Sequence, residues 1–128
     1  MRLLLDTCAF LWLAADLPRA SARARDLFRD PAHEIHLSAV SGWEIAVKYG
    51  RGALRLSEPP ERLIPFAREK YGIAALPLDE ESVLHAHRLP PLHRDPFDRM
   101  LVCQSIVHGM SILTPDPLIV QYPVRTLW

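Results

Sequence analysis

Met1-Arg2-Leu3-Leu4-Leu5-Asp6-Thr7-Cys8-Ala9-Phe10-Leu11-Trp12-Leu13-Ala14-Ala15 opens the chain, and its reading decides the fold. Leu3, Leu4 and Leu5 form an apolar run with no polar alternation, the pattern of a short strand buried on both faces, as in a parallel sheet covered by helices. Asp6 breaks the run at its carboxyl end, and residues 7–15 then suit a helix whose amino end Asp6 can cap. A basic residue before an apolar stretch also resembles a secretory leader. A carboxylate in the middle of that stretch would have to be desolvated on insertion, however, and the run falls short of the roughly 20 apolar residues a membrane span needs. No transmembrane segment is therefore expected.

Outward from this stretch the same alternation repeats, punctuated by many of the 12 prolines. An arginine-rich amphipathic helix is expected over 21–30 and a brief strand over 34–37. A helix follows from 38 or 41 to 49, with Val40, Trp43 and Val47 on one face. A polar loop over 51–60 leads to a helix in much of 61–71, where Pro65 demands a late start or a kink. Then come a strand over 73–76, a helix over 79–88 and a stiff connector over 89–94. The longest helix runs from Asp95 to His108 and stops at Gly109; a strand over 111–113, a helical turn over 116–121 and a closing strand over 124–127 complete the chain. Strands that alternate with helices predict an α/β fold: one domain over residues 1–128, with a central parallel sheet of four to five strands covered on both faces. A chain of 128 residues is long enough to bury a core without staples.

Composition narrows the function. With 15 basic residues against 15 acidic ones, neither a disordered acidic tail nor a polybasic nucleic-acid coat is present, so any nucleic-acid contact must be local. Cys8 and Cys103 form no paired motif and sit in apolar runs, which points to a reducing, cytoplasmic setting.

The acids carry the chemistry. In a parallel α/β sheet the carboxyl ends of the strands and the amino ends of the following helices share one edge, where ligands bind. Asp6, Asp95, Asp98 and Asp116 all fall at that edge, and Glu44 lies in the early turns of its helix. Each has a structural reading: Asp95-Pro96 and Asp116-Pro117 are helix starts, Asp98 would complete a capping box with Asp95, and Ser41 to Glu44 matches another. As a group they need more. Two carboxylates about 5 Å apart repel by roughly 3 kcal/mol at an effective dielectric near 20, while a helix amino end offsets only about 0.3 to 1 kcal/mol. Protons or a hard cation must complete the balance, and an all-oxygen site selects Mg²⁺ or Mn²⁺. Thr7, Ser41 and Thr114 are candidate caps or donors that orient a carboxylate. His85 and His87 lie on opposite sides of their helix and cannot share a metal. His93 and His108 read as surface or capping residues, and Trp12, Trp43 and Trp128 as core rather than base-stacking platforms. No nucleophile elbow, Walker loop or dinucleotide fingerprint occurs.

The ordered set Leu3-Leu4-Leu5-Asp6-Thr7, Ser38-Ala39-Val40-Ser41-Gly42-Trp43-Glu44-Ile45-Ala46-Val47-Lys48, Leu92-His93-Arg94-Asp95-Pro96-Phe97-Asp98-Arg99-Met100-Leu101 and Leu113-Thr114-Pro115-Asp116 resembles the PIN-domain family, specifically the VapC-type ribonuclease toxins. The resemblance implies a three-layer α/β/α fold and a metal-dependent endoribonuclease, the toxin of a toxin–antitoxin pair. It carries the family's acids onto Asp6, Glu44, Asp98 and Asp116, as catalytic groups and as ligands of Mg²⁺ or Mn²⁺, with Asp95 as an extra acid. RNA is the implied substrate, an antitoxin the implied protein partner, and a homodimer the implied assembly. Arg94 and Arg99 are placed to steer the RNA backbone. Cys8, Pro115 and Pro123 depart from the common pattern. Two alternatives stand beside this reading. One is a PIN-like interaction module that binds an antitoxin or RNA without cleaving. The other is a phosphoryl-transfer enzyme, which commonly needs Asp-x-Asp after the first strand, where this chain has Asp6, Thr7 and Cys8.

Overall fold

The computed structural model describes residues 1–15 and 18–128. In chain order the elements are β1 (Arg2–Leu5), α1 (Thr7–Ala14), α2 (Ala22–Arg29), β2 (Glu34–Ser38), α3 (Ala39–Gly50), α4 (Pro60–Tyr71) and β3 (Ala74–Leu76). There follow α5 (Glu80–His85), which runs into a 3₁₀ turn at Ala86–Arg88, then α6 (Pro96–His108), β4 (Ser111–Leu113), α7 (Pro117–Val120) and β5 (Thr126–Leu127). The five strands form one sheet in the order β3-β2-β1-β4-β5, and every pairing is parallel.

β1 is the central strand, and its three leucines are fully buried. Leu3 and Leu5 join a core layer with Phe10, Ala24, Phe28, Leu37, Ile45 and Ala67. Leu4 points the other way, into a layer with Val40, Leu76, Leu101 and Met110. One apolar run thus feeds both sides of a three-layer sandwich, because successive strand side chains face opposite ways. The chain builds outward from β1 to β2 and β3, then crosses back to lay β4 on the other side. The order reverses between β2 and β4 around the end of β1, the kind of switch point where open α/β sheets form a crevice.

Local chemistry sets the helix ends. Ser21, Ser38, Asp79, Asp95 and Asp116 each accept a backbone N–H at the start of a helix. Gly72 and Gly109 close α4 and α6 at positive φ, 67° and 65°, which side chains rarely tolerate. α3 starts at Ala39 with Ser38 as its cap, so Ser41 lies inside the helix and makes no capping box with Glu44. α4 shows no late start: it opens at Pro60 and carries Pro65 within it, on an exposed stretch where the unpaired carbonyl one turn back can reach water. The closing strand is shorter than expected, because Pro123 has no N–H and Val124 turns its own to Tyr122 O at 2.7 Å. Sheet pairing begins only at Arg125 O, which accepts from Ile112. Trp43, expected in the core, is 57% exposed.

A buried polar link ties the layers below the crevice. The Ser38 hydroxyl donates to Gln104 Oε1 at 2.5 Å, and Gln104 Nε2 donates to Pro77 O at 3.0 Å, with Gln104 fully buried. Gln104→Leu keeps the volume but strands a hydroxyl and a carbonyl. It is expected to lower the unfolding free energy by about 1 to 3 kcal/mol, read as a lower urea midpoint at unchanged slope.

Candidate active site

The carboxyl edge of the sheet gathers acids from four segments. Asp6 follows β1, is 2% exposed, and caps α1 by accepting Ala9 N–H on Oδ1 at 2.7 Å. Its Oδ2 accepts the Thr114 hydroxyl from the loop after β4, and the Cys8 thiol lies 3.5 Å from Oδ1. Thr114 also accepts the Asp116 N–H at 3.0 Å, so one side chain fixes Asp6 and Asp116 together. Asp116 in turn caps α7 through Leu118 N–H at 2.9 Å.

Glu44 is 5% exposed on α3, and both its oxygens are occupied. Thr7 Oγ1 donates to Oε1 at 2.6 Å, and Lys48 Nζ lies 2.5 Å from Oε2. The Thr7 hydroxyl has a single proton, which goes to the carboxylate; Ser41 Oγ, 3.0 Å away, completes the link as donor to Thr7. The hydrogen bond to Glu44 raises the Lys48 pKa, and the neighbouring acids add to the rise.

Asp95 caps α6, taking the N–H groups of Phe97 and Asp98 on one oxygen at 2.9 and 3.1 Å. The carboxylate of Asp98 turns instead to His93, whose Nε2 is 3.4 Å from Oδ2. His93 is not a surface residue, since its side chain is 8% exposed. Its Nδ1 is 2.7 Å from the Tyr122 hydroxyl, and that oxygen also takes N–H bonds from Arg99 at 3.0 Å and from the His93 backbone at 3.2 Å. The hydrogen-bond network therefore assigns the Tyr122 proton to Nδ1 and leaves Nε2–H to donate to Asp98. Arg99 further binds Pro90 O at 2.7 Å and Leu89 O at 3.4 Å, so it braces the connector. Arg94 is exposed. His108 binds Asp79 at 2.7 Å, away from this cluster, and this hydrogen bond holds the Asp79 carboxyl well below its usual pKa.

The acids share one electrostatic field. Burial pushes Asp6 up to about 6 against the pull of Thr114, Ala9 and Cys8, with Asp116 adding repulsion. Burial likewise pushes Asp98 up to about 7, with repulsion from Asp95, Glu44 and Asp116 opposed by His93. The Cys8 thiol rises far above its ordinary range through burial and then through Asp6, Asp116 and Asp98, so it stays protonated and donates. Among the described residues, no three His, Cys, Asp or Glu side chains are grouped tightly enough to grip an ion as they stand. The donor set still fits a hard cation: all ligating atoms are carboxylate oxygens, and their mutual repulsion is the imbalance that a divalent ion offsets. Holding it requires side-chain rotation toward a common point.

Lys48, His93, Tyr122 and Cys8 were missed as site residues. Lys48 could have been found, because it stands four residues after Glu44 on a helix. The other three carry no spacing signal. A concavity of about 770 Å³ lies elsewhere, between α1, the 51–59 loop and α4, lined by Leu11, Trp12, Leu54, Leu56, Phe66 and Tyr71. Among the described residues no helix is long and apolar enough to cross a membrane.

The family model of the PIN domain matches residues 3–123. Ribonuclease VapC16 of Mycobacterium tuberculosis (strain ATCC 25618 / H37Rv) is 36% identical over 73 residues, which is 57% of this chain and 50% of that protein. The match thus spans about half the length of the curated relative. Among solved structures, VapBC2 from Rickettsia felis bound to a DNA fragment from their promoter superposes with a TM-score of 0.74 at 13% identity, over 99% of this chain and 98% of that one. VapBC-1 from nontypeable Haemophilus influenzae gives 0.65 at 17% identity, over 99% and 97%. FitAcB from Neisseria gonorrhoeae gives 0.62 at 16% identity, over 98% and 96%.

The raised carboxyls make stability depend on pH. A folded-state pKa near 6 for Asp6, above the unfolded value of about 3.9, means that the folded protein binds the extra proton, so stability rises as pH falls through that window. In chelator-treated protein, Asp6→Asn is expected to melt higher than the wild type near pH 7.5, with the difference about halved near pH 5 and closing toward about pH 4. Parallel melting curves across that range would show that the carboxylate is not desolvated.

Proposed function

Because this chain belongs to the PIN-domain family, we propose that it is a Mg²⁺- or Mn²⁺-dependent endoribonuclease of the VapC type, the toxin of a toxin–antitoxin pair. The observation that carries the reading is the convergence of Asp6, Glu44, Asp98 and Asp116 in one field at the sheet's switch point. The ribonuclease that matches part of the chain supports the reaction type.

Asp6, Asp98 and Asp116 are the proposed ligands of the ion, with Glu44 beside them to orient the attacking water or to hold a second ion. When bound, the ion supplies a Lewis acid for the phosphodiester and lowers the pKa of the water. The chain's own residues prepare the site. Thr114 sets Asp6 and Asp116 in a fixed relation, Thr7 and Lys48 hold both oxygens of Glu44, and His93, braced by Tyr122, turns Asp98 into the pocket. Water attacks phosphorus in line and the ribose 3′ oxygen leaves, so the products carry a 3′-hydroxyl and a 5′-phosphate. Arg94, exposed beside Asp95, is a cation offered to the RNA backbone, with Arg99 bracing the connector it rises from. The apolar groove beside α4, with Phe66 63% exposed, is the surface offered to an antitoxin. A homodimer is part of the same reading.

Asp6→Asn is expected to reduce Mg²⁺-dependent cleavage of RNA about a hundredfold or more while the protein stays folded, since asparagine caps a helix as well as aspartate. Saturating Mg²⁺ should stabilise the wild type, by about 2.7 kcal/mol at a hundred times Kd, and the variant less. Full activity in the variant, or equal thermal shifts in both proteins, would end the proposal.

A further inference from the structure

Trp43 stands 57% exposed on α3, one residue before the buried Glu44. Its indole meets the Phe97 ring at 4.8 Å between centroids with the planes 75° apart, and Phe97 is the residue before Asp98. An edge-on contact covers at most one face of an indole, so a flat apolar surface stays open where α3 and α6 both bring acids to the crevice. The other two tryptophans behave differently: Trp12 and Trp128 pack edge to face on each other at 5.8 Å, half-buried.

Charge makes this surface consequential. The chain has no net charge, and its crevice is lined by carboxylates that repel a phosphate backbone. Two nearby cations are engaged, Lys48 by Glu44 and Arg99 by the connector carbonyls, and Arg94 stands exposed at the rim. With so few cations at the rim, contacts that do not depend on charge add to the hold on a polyanion, and every base has a π face to offer.

We propose that Trp43, braced by Phe97, stacks a nucleobase adjacent to the phosphate that the acids address, and so holds single-stranded RNA across the crevice. This role rests on the ribonuclease reading. A second copy of the chain is the less favoured occupant. One indole supplies at most about 250 Å², against the roughly 800 Å² per partner of a stable interface.

The test uses the full chain and short single-stranded RNA oligonucleotides with Mn²⁺. Trp43→Leu is expected to raise KM about 5- to 150-fold with a smaller change in kcat, and Trp43→Phe to recover most of the loss, because stacking needs an aromatic ring and not merely an apolar one. An abasic residue scanned along the oligonucleotide should find one position that costs the wild type the same factor and costs Trp43→Leu nothing further. An unchanged KM in an active, folded Trp43→Leu overturns the stacking role alone. So does a drop in oligomeric state on sedimentation of that variant, which would assign the indole to a second copy. A wild type that cleaves no RNA with Mn²⁺ or Mg²⁺ overturns the ribonuclease reading itself.

Discussion

Asp6 ends the central strand with its carboxylate almost wholly removed from water, and the charged groups around it are arranged in answer to that burial. A helix amino end, a threonine hydroxyl and a thiol all donate to it, yet desolvation still outweighs them and holds its pKa near 6. Burial makes this a costly place for a cap alone. A surface aspartate would cap α1 equally well and cost nothing in solvation. The position makes sense for a carboxylate that waits for a positive partner.

The sheet order explains why the other acids arrive at the same place. β1 lies between β2 and β4, so the segments that follow those two strands flank Asp6 from opposite sides. α3 brings Glu44 from one side and the loop after β4 brings Thr114 and Asp116 from the other. α6 packs against α3 and adds Asp98. Threonines stitch these segments: Thr7 reaches α3, and Thr114 joins Asp6 to Asp116. The fold that buries three consecutive leucines on two faces is thus the same fold that concentrates like charge at one edge.

Much of this was legible in the letters, for physical reasons that also explain the gaps. Leu3 to Leu5 has no alternation, so a two-faced strand was the natural reading, and the Asp95-Pro96 and Asp116-Pro117 pairs mark helix starts. Glu44 was legible as half-turned from water because it borders the Val40 and Val47 stripe. What period and propensity do not encode is which way a side chain leans once elements pack. Trp43 shares that stripe by count, yet its indole meets the Phe97 ring at an angle and is left largely outside. His93 sits in a connector with no periodicity, and its burial follows from Tyr122, 29 residues on. Ser41 and Glu44 carry the spacing of a capping box, but Ser38 captured the cap and turned the later serine into part of the Thr7 link.

The bond between Thr114 and Asp6 joins residues 108 positions apart, and the pairing of Leu3 with Ser111 is equally remote in sequence. Such long closures form late. A growing chain displays β1 and its neighbour β2 early, yet lacks β4 and the Thr114 hydroxyl that anchors Asp6 until residues 111–114 have been made. The acidic crevice therefore takes its final geometry only when β4 docks against β1, whichever part of the sheet forms first.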